Sequence, residues 1–355
     1  MRDIDQIRHA LASAHARGES LVLATVMSVE GSVYRGAGAR MVVRADGETV
    51  GAVSGGCLEA DVVARVPDVL IAGVPEMVHY DTRASDDVVL GLGMGCQGII
   101  DLLLEPLGGE TLEQALAMYD RISHQRDPVI LLTLIRAEPG LPIGTRLLVD
   151  EDGAAIEGEV ALLAREEGVC REGIAPAVRI VICGGGTDAI PLARLAKVMG
   201  WHVTVIDHRA AFSTTHRFPD VDAIVCANLV DGDAALSERV QLDQRTMAVV
   251  MAHSASYDRA YLHAMVSAGA SYIGVLGPRR RTLELLGARV TTEDTELPPN
   301  VHSPVGLDLG AETPDEIALA IVAEIAAVST GRSGGMLRQR RGPIHERRAM
   351  PVVAP

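Results

Sequence analysis

Aromatic side chains are scarce in this chain: one Trp, six Tyr and two Phe make up 3% of its 355 residues. So few rings cannot line a stacking platform for single-stranded nucleic acid. Positive charge is also in deficit. With 32 basic residues against 47 acidic ones, the formal charge of −15 repels a phosphate backbone, so nucleic acid is excluded as a partner. The five cysteines are odd in number and widely spaced, unlike a secreted disulfide framework, and the opening Met-Arg-Asp-Ile-Asp-Gln is acidic. Both features point to a reducing cytoplasm. Long apolar runs are missing too, since 178–182 and 248–251 are only strand-sized, and no membrane span is expected.

What is abundant is aliphatic. Apolar residues form 48% of the sequence, mostly Ala, Val, Leu and Ile, which suits an α/β core, and the length allows two domains. Residues 3–18 read as an amphipathic helix closed by Gly18, and 21–29, 40–43 and 48–53 as strands, with Asp46-Gly47 as a turn. Further strands are expected at 77–80, 99–104, 129–135 and 145–149, with a helix at 111–122, which makes an α+β module over 1–170. The stretch 150–177 is rich in Glu, Gly and Ala and lacks a strong strand signal, although 157–167 has helical character. The domain boundary is placed near Pro176, a second domain over 178–330, and a mobile Arg/Gly-rich tail over 331–355.

Two cysteines sit in glycine-rich turns, Ser54-Gly55-Gly56-Cys57-Leu58-Glu59 and Gly93-Met94-Gly95-Cys96-Gln97-Gly98. Glycines let backbone approach a ligand closely. Residues 58–66 carry apolar positions at helical spacing, which puts the Cys57 sulfur near a helix N-terminus, where the dipole and free N–H groups lower a thiol pKa. Cys57 is therefore the first candidate for chemistry and Cys96 the second; the competing reading is that small residues simply fit tight turns. The two are 39 positions apart with no C-x-x-C pair, so no metal site is expected. Glu59 complements the helix dipole, and Arg35 and Arg40, flanking Gly36-Ala37-Gly38, form a potential anion clamp. Cys183 and Cys226 read as core thiols and Cys170 as incidental.

The second domain opens on the apolar strand Arg179-Ile180-Val181-Ile182-Cys183, then Gly184-Gly185-Gly186-Thr187-Asp188-Ala189, a helix over 190–199 and a strand ending at Asp207. This is G-x-G-x-x-A between strand and helix, with an acidic residue about twenty positions on, the context of a Rossmann dinucleotide site. Gly184 makes the turn, Gly186 admits a pyrophosphate, Ala189 allows close packing and Asp207 binds ribose hydroxyls of NAD. Asp188 puts negative charge at that site, and Arg209 blurs the choice between NAD and NADP. A Rossmann fold without a ligand is the alternative. His253 follows the strand 248–251 and either faces the cleft as an acid or base or merely caps and packs. Arg279, with Arg280 and Arg281, follows another strand end, either as a phosphate site or as a solvated basic face.

These motifs resemble the XdhC/CoxI family. The N-terminal match runs over 25–60, with Glu30-Gly31-Ser32, Arg35, Gly38-Ala39-Arg40-Met41, Asp46-Gly47 and the Cys57 turn. The fingerprint, Tyr272-Ile273-Gly274-Val275-Leu276-Gly277-Pro278-Arg279-Arg280-Arg281, His302-Ser303-Pro304-Val305-Gly306-Leu307-Asp308-Leu309-Gly310-Ala311 and Thr313-Pro314-Asp315-Glu316-Ile317-Ala318 follow in order. Gln97 stands where the family pattern after the second cysteine has a glycine, and Cys57 resembles the carbon monoxide dehydrogenase branch. The resemblance implies a maturation factor that binds molybdenum cofactor, as molybdopterin or its dinucleotide form, through Cys57 and Cys96. It also implies delivery of the sulfurated cofactor to an apo molybdenum hydroxylase, a cysteine desulfurase as further partner, and a homo-oligomer, expected as a dimer. The expected fold is an N-terminal α+β module followed by a C-terminal Rossmann-like parallel sheet, with a working cleft between them. The rival function is an NAD-dependent oxidoreductase of a small molecule using His253 and Cys57, and a third is a ligand sensor.

Overall fold

The computed structural model describes residues 2–81, 97–165, 167–229, 239–287 and 296–341. The chain is mixed α/β and divides into two compact units that change over between Pro176 and Ala177.

In the first unit, α1 (Arg2–Arg17) precedes β1 (Leu21–Ser32), β2 (Arg40–Arg44), β3 (Thr49–Gly51), α2 (Glu59–Ala72), β4 (Glu76–Asp81), β5 (Gln97–Leu107) and α3 (Gly109–His124). The strands form an antiparallel sheet in the order β3-β2-β1-β5-β4. Alternation decides which residues face which layer. Val22, Ala24 and Val26 turn toward α2 and meet Val62, Val66 and Val69. Leu21 and Leu23 turn the other way, into a core shared with α1, α3 and a second sheet.

That second sheet, β8-β7-β6-β9, is antiparallel and uses β6 (Val129–Leu134), β7 (Arg146–Asp150), β8 (Ala155–Gly158) and β9 (Val169–Ile174). Two of its strands lie in the stretch read as a strandless linker. In place of a helix over 157–167 there is the end of β8 and a short 3-10 turn, Val160–Ala164. The reason is that β8 and β9 are edge strands paired on one side only, so neither carries the apolar run of a central strand like β6.

The second unit holds β10 (Arg179–Cys183), α4 (Ala189–Val198), β11 (His202–Asp207), β12 (Ala223–Cys226), β13 (Thr246–Val250), α5 (Ala255–Ser267), β14 (Tyr272–Val275), α6 (Arg279–Leu285), β15 (Val301–His302) and α7 (Pro314–Ser329). Its six strands are all parallel, ordered β12-β11-β10-β13-β14-β15, the doubly wound Rossmann arrangement with its switch point between β10 and β13. Ile180 and Ile182 face α4 and α7, while Val181 and Cys183 face α5, so β10 is apolar throughout. The Thr313-Pro314-Asp315-Glu316 motif starts α7: Thr313 and Glu316 cap each other's backbone N–H groups and Pro314 occupies the first turn, a start of about 1 kcal/mol.

Among the described residues no helix is long and apolar enough to cross a membrane.

Candidate functional site

The turn before α2 is organised by one hydroxyl. Ser54 Oγ accepts from the N–H groups of Gly56 at 3.2 Å and of Cys57 and Leu58 at 3.1 Å, and it donates to the Glu59 carboxylate. Glu59 closes the turn from the other side by accepting from Ser54 N at 2.8 Å and Leu58 N at 3.2 Å. Burial disfavours its charge, yet the hydrogen bonds from Ser54 and the backbone hold its carboxyl below the ordinary range. The N–H groups ahead of α2 therefore converge on Ser54, and Glu59 does more than complement a dipole.

Cys57 is a free, half-buried thiol whose Sγ lies 3.4 Å from Ser54 Oγ. Gly56 beside it has φ +108°, a conformation that favours glycine, and a Cβ there would meet nothing within 4 Å. A Cβ on Gly55 would lie 3.2 Å from Cγ of Tyr34. The Tyr34 ring thus rests on Gly55, while the Cys57 sulfur points to Ser54 and its side chain packs against the α2 core. Cys96 lies outside the described residues; the side chain of Gln97 does too.

The two arginines expected to clamp an anion are both committed to carboxylates. Arg35 pairs with Asp3 of α1. Arg40 is 2% exposed; it donates from Nε to Tyr119 Oη at 2.8 Å and from Nη1 to Gly38 O at 2.6 Å, and pairs with Glu172 of β9. It is a strut inside the first unit. Cys170, expected to be incidental, donates its thiol to Met27 O at 3.2 Å, and burial with Glu172 nearby pushes it up to about 11.

In the second unit, the glycine loop wraps the end of β10. Gly184 has φ +119°, and a Cβ there would stand 2.6 Å from Met251 O and 2.7 Å from Ala252 Cα, so only glycine fits. Gly185 is hemmed in by Phe212 O in the same way. Gly186 is open, its nearest neighbour being His253 Cδ2 at 3.9 Å from a Cβ. Ala189 is fully buried against the sheet. His253 reaches this loop with φ +58°, and its Nε2 is 3.3 Å from Asp188 Oδ2.

Asp207, at the end of β11, is fully buried, and both oxygens are in use. They accept from Gly185 N at 2.7 Å and from Arg209 N, Nε and Nη2 at 2.8, 2.9 and 2.8 Å. Burial opposes its charge, but these donors hold its carboxyl below the usual range. Arg209 lies over the Phe212 ring at 3.7 Å, and Arg217 approaches the same ring at 4.9 Å while donating to Gly185 O at 3.0 Å. The acid expected to bind a ribose is thus held by the guanidinium of Arg209.

The arginine triplet separates by task. Arg281 bonds Asp258 at 2.5 Å, and Asp258 accepts from Ala252 N at 2.8 Å, which fixes the backbone beside His253. Arg280 pairs with Glu284, and Arg279 is exposed at the start of α6. The His302-to-Gly306 segment is strapped to α7 by Glu324, which accepts from Tyr272 Oη at 2.5 Å and Gly306 N at 2.8 Å and contacts His302 Nδ1 at 3.0 Å. Cys183 is buried, its thiol pushed up chiefly by desolvation. Cys226 is exposed, not a core thiol as expected, because β12 is the sheet's edge. Ser54, Tyr34 and Glu172 were not read from the sequence; the S-x-x-x-x-E spacing before an apolar helix was the available signal for the first.

Known proteins resemble this chain along most of its length. A model of the XdhC and CoxI family matches residues 14–81, and one of the XdhC Rossmann domain matches 180–325. A Bacillus subtilis protein, named as a probable subunit of xanthine dehydrogenase, is 33% identical over 322 residues, 86% of this chain and 92% of that one. The molybdenum cofactor insertion chaperone PaoD of Escherichia coli is 28% identical over 315 residues, covering 88% and 84%. A crystal structure from Bacillus halodurans, described as a xanthine dehydrogenase, superposes with a TM-score of 0.77 at 29% identity over 93% of this chain and 96% of that one. With a relative above 30% identity aligned nearly end to end, and both family models matching in order, the chain belongs to the XdhC and CoxI family.

Proposed function

We propose that this chain is a maturation factor that binds molybdenum cofactor, shields it and hands it, sulfurated, to an apo molybdenum hydroxylase of the xanthine or carbon monoxide dehydrogenase type. The observation that carries this reading is the end-to-end similarity to a protein named a molybdenum cofactor insertion chaperone. The Cys57 turn supports it chemically. A half-buried thiol beside open space over Gly56 suits a soft, sulfur-rich cargo. In this reading Cys57 and Cys96 face the dithiolene and metal end of the cargo. The glycine loop of the second unit, open only at Gly186, is read as a dinucleotide site in its own right, for NAD or a dinucleotide form of the cofactor. The protein works as a cytoplasmic dimer with a cysteine desulfurase as sulfur source.

The rival NAD-dependent oxidoreductase draws less support from the geometry, since Asp207 is already satisfied by Arg209 and His253 by Asp188. Retention of cofactor tests the proposal. Protein mixed with molybdenum cofactor should co-elute with it, and Cys57→Ala should weaken retention about tenfold, about 1.4 kcal/mol, with unchanged melting. Sustained NADH turnover on small hydroxy, keto or amino acids that His253→Ala abolishes would install the oxidoreductase instead.

A further inference from the structure

Tyr34 is out of place energetically. All nine aromatic residues of the chain fall among the described residues, and eight are buried or half-buried, whereas Tyr34 is 70% exposed. Aromatic rings bury large areas and dominate binding sites where they are left uncovered. A lone exposed ring could be an idle loop ornament, but the loop joining β1 and β2 is tied down directly after it. Arg35 pairs with Asp3, Gly38 N donates to Val26 O at 2.8 Å, and Arg40 Nη1 holds Gly38 O at 2.6 Å. The near end of the ring rests on the turn: Cγ, Cδ1 and Cδ2 lie 3.2, 3.4 and 3.6 Å from the Cβ position of Gly55, which only a residue without a side chain leaves clear. Two residues on is Cys57, and a Cβ on the intervening Gly56 would meet nothing within 4 Å.

We infer that Tyr34 is a binding residue for the cargo, a stacking face for its flat heteroaromatic pterin ring. The inference rests on the reading of the Cys57 turn as the cofactor site. A pterin offers a planar bicyclic face at one end and a sulfur-bound metal at the other. A ring resting on the same turn as a thiol, next to an unobstructed glycine, offers a counterpart to each of those two ends. Stacking on an aromatic ring tolerates the ligand's edge substituents, so the same residue serves the plain and the dinucleotide forms.

The test uses the full chain and cofactor released from a purified molybdenum hydroxylase under anaerobic conditions. Dissociation constants and pterin fluorescence are measured for wild type, Tyr34→Ala, Tyr34→Phe and Cys57→Ala. Tyr34→Ala should bind about tenfold more weakly, about 1.4 kcal/mol. It should also lose the fluorescence quenching that a stacked ring produces. Tyr34→Phe should keep both affinity and quenching, and all variants should melt with the wild type. Cys57→Ala should weaken binding while leaving the residual bound fraction quenched. If wild type binds and Tyr34→Ala binds equally well with equal quenching, Tyr34 is no part of the site and the cofactor reading stands without it. If wild type retains no cofactor, both fall.

Discussion

Replacing Glu172 by Gln tests whether the first unit is held by the Arg40 strut. The Arg40 side chain is 3% exposed and that of Glu172 is 20% exposed, and a charge left inside without its partner costs about 3–5 kcal/mol. Because Glu172 reaches solvent and Gln keeps one acceptor, the low end, about 3 kcal/mol, is expected. For a unit of this size 1 kcal/mol shifts Tm by roughly 2–4 °C, so its midpoint should fall by about 6–12 °C. Calorimetry on the full chain is the assay. With two units the melting need not be two-state, and only the transition belonging to the first should move. Adding Arg40→Met to Glu172→Gln should cost less than the two single changes summed, since the orphaned cation is removed. A Glu172→Gln shift below about 2 °C, or equal movement of both transitions, would refute the reasoning.

The glycine loop gives a paired prediction. Gly184→Ala puts a methyl onto the Met251–Ala252 backbone at positive φ and should lower the melting of the second unit by about 2 kcal/mol or more, whereas Gly186→Val should fold normally and abolish any calorimetric heat with dinucleotides. The Ser54–Glu59 closure should depend on acid: Glu59 is depressed in the folded state, so its contribution is present above the unfolded value and lost as pH falls through the folded one. The Ser54 and Leu58 amide resonances should therefore titrate together below the ordinary carboxylate range and stop doing so in Glu59→Gln; titration at or above that range would count against the closure.

The parallel sheet was legible because its central strands are buried on both faces. A strand such as Arg179–Cys183 announces itself as an apolar run that follows a proline and stops at glycines, whatever lies around it. The edge strands β8 and β9 do not, since half their positions face solvent or serve other tasks. Glu172 in β9 reads as a surface acid, yet it is the partner of a buried arginine more than a hundred residues away. The same distance effect explains one of the site residues. Arg40 is taken up by Glu172, from a strand read as linker, which local spacing does not display; Asp207 is taken up by Arg209 only two residues on, which the sequence shows without showing that the guanidinium folds back onto the acid. The open turns at Gly56 and Gly186 were legible because a glycine's need for space is written in its own identity.

The two glycine turns divide their labour alike. In the loop after β10, Gly184 and Gly185 are closed in by carbonyl oxygens at 2.6 Å from a Cβ, so they fit chain to chain, and only Gly186 opens outward. In the turn before α2, Gly55 makes room for a ring of the protein itself and Gly56 opens outward. A ligand can use only the last of each, which directs attention to what lies next to it. Gly56 is followed by the Cys57 thiol and preceded by the Gly55 on which the Tyr34 ring rests, with the nearby carboxylate turned inward onto Ser54 and backbone N–H groups. Gly186 is bordered by His253 and Asp188, an ion pair only while the imidazole is protonated. Phosphate at Gly186 must therefore compete with Asp188 for His253, whereas nothing within 4 Å of a Cβ on Gly56 stands in a ligand's way. Under the proposed function, capture of the cargo is therefore expected at the cysteine turn, and any dinucleotide binding at the glycine loop is expected to be the weaker for that competition.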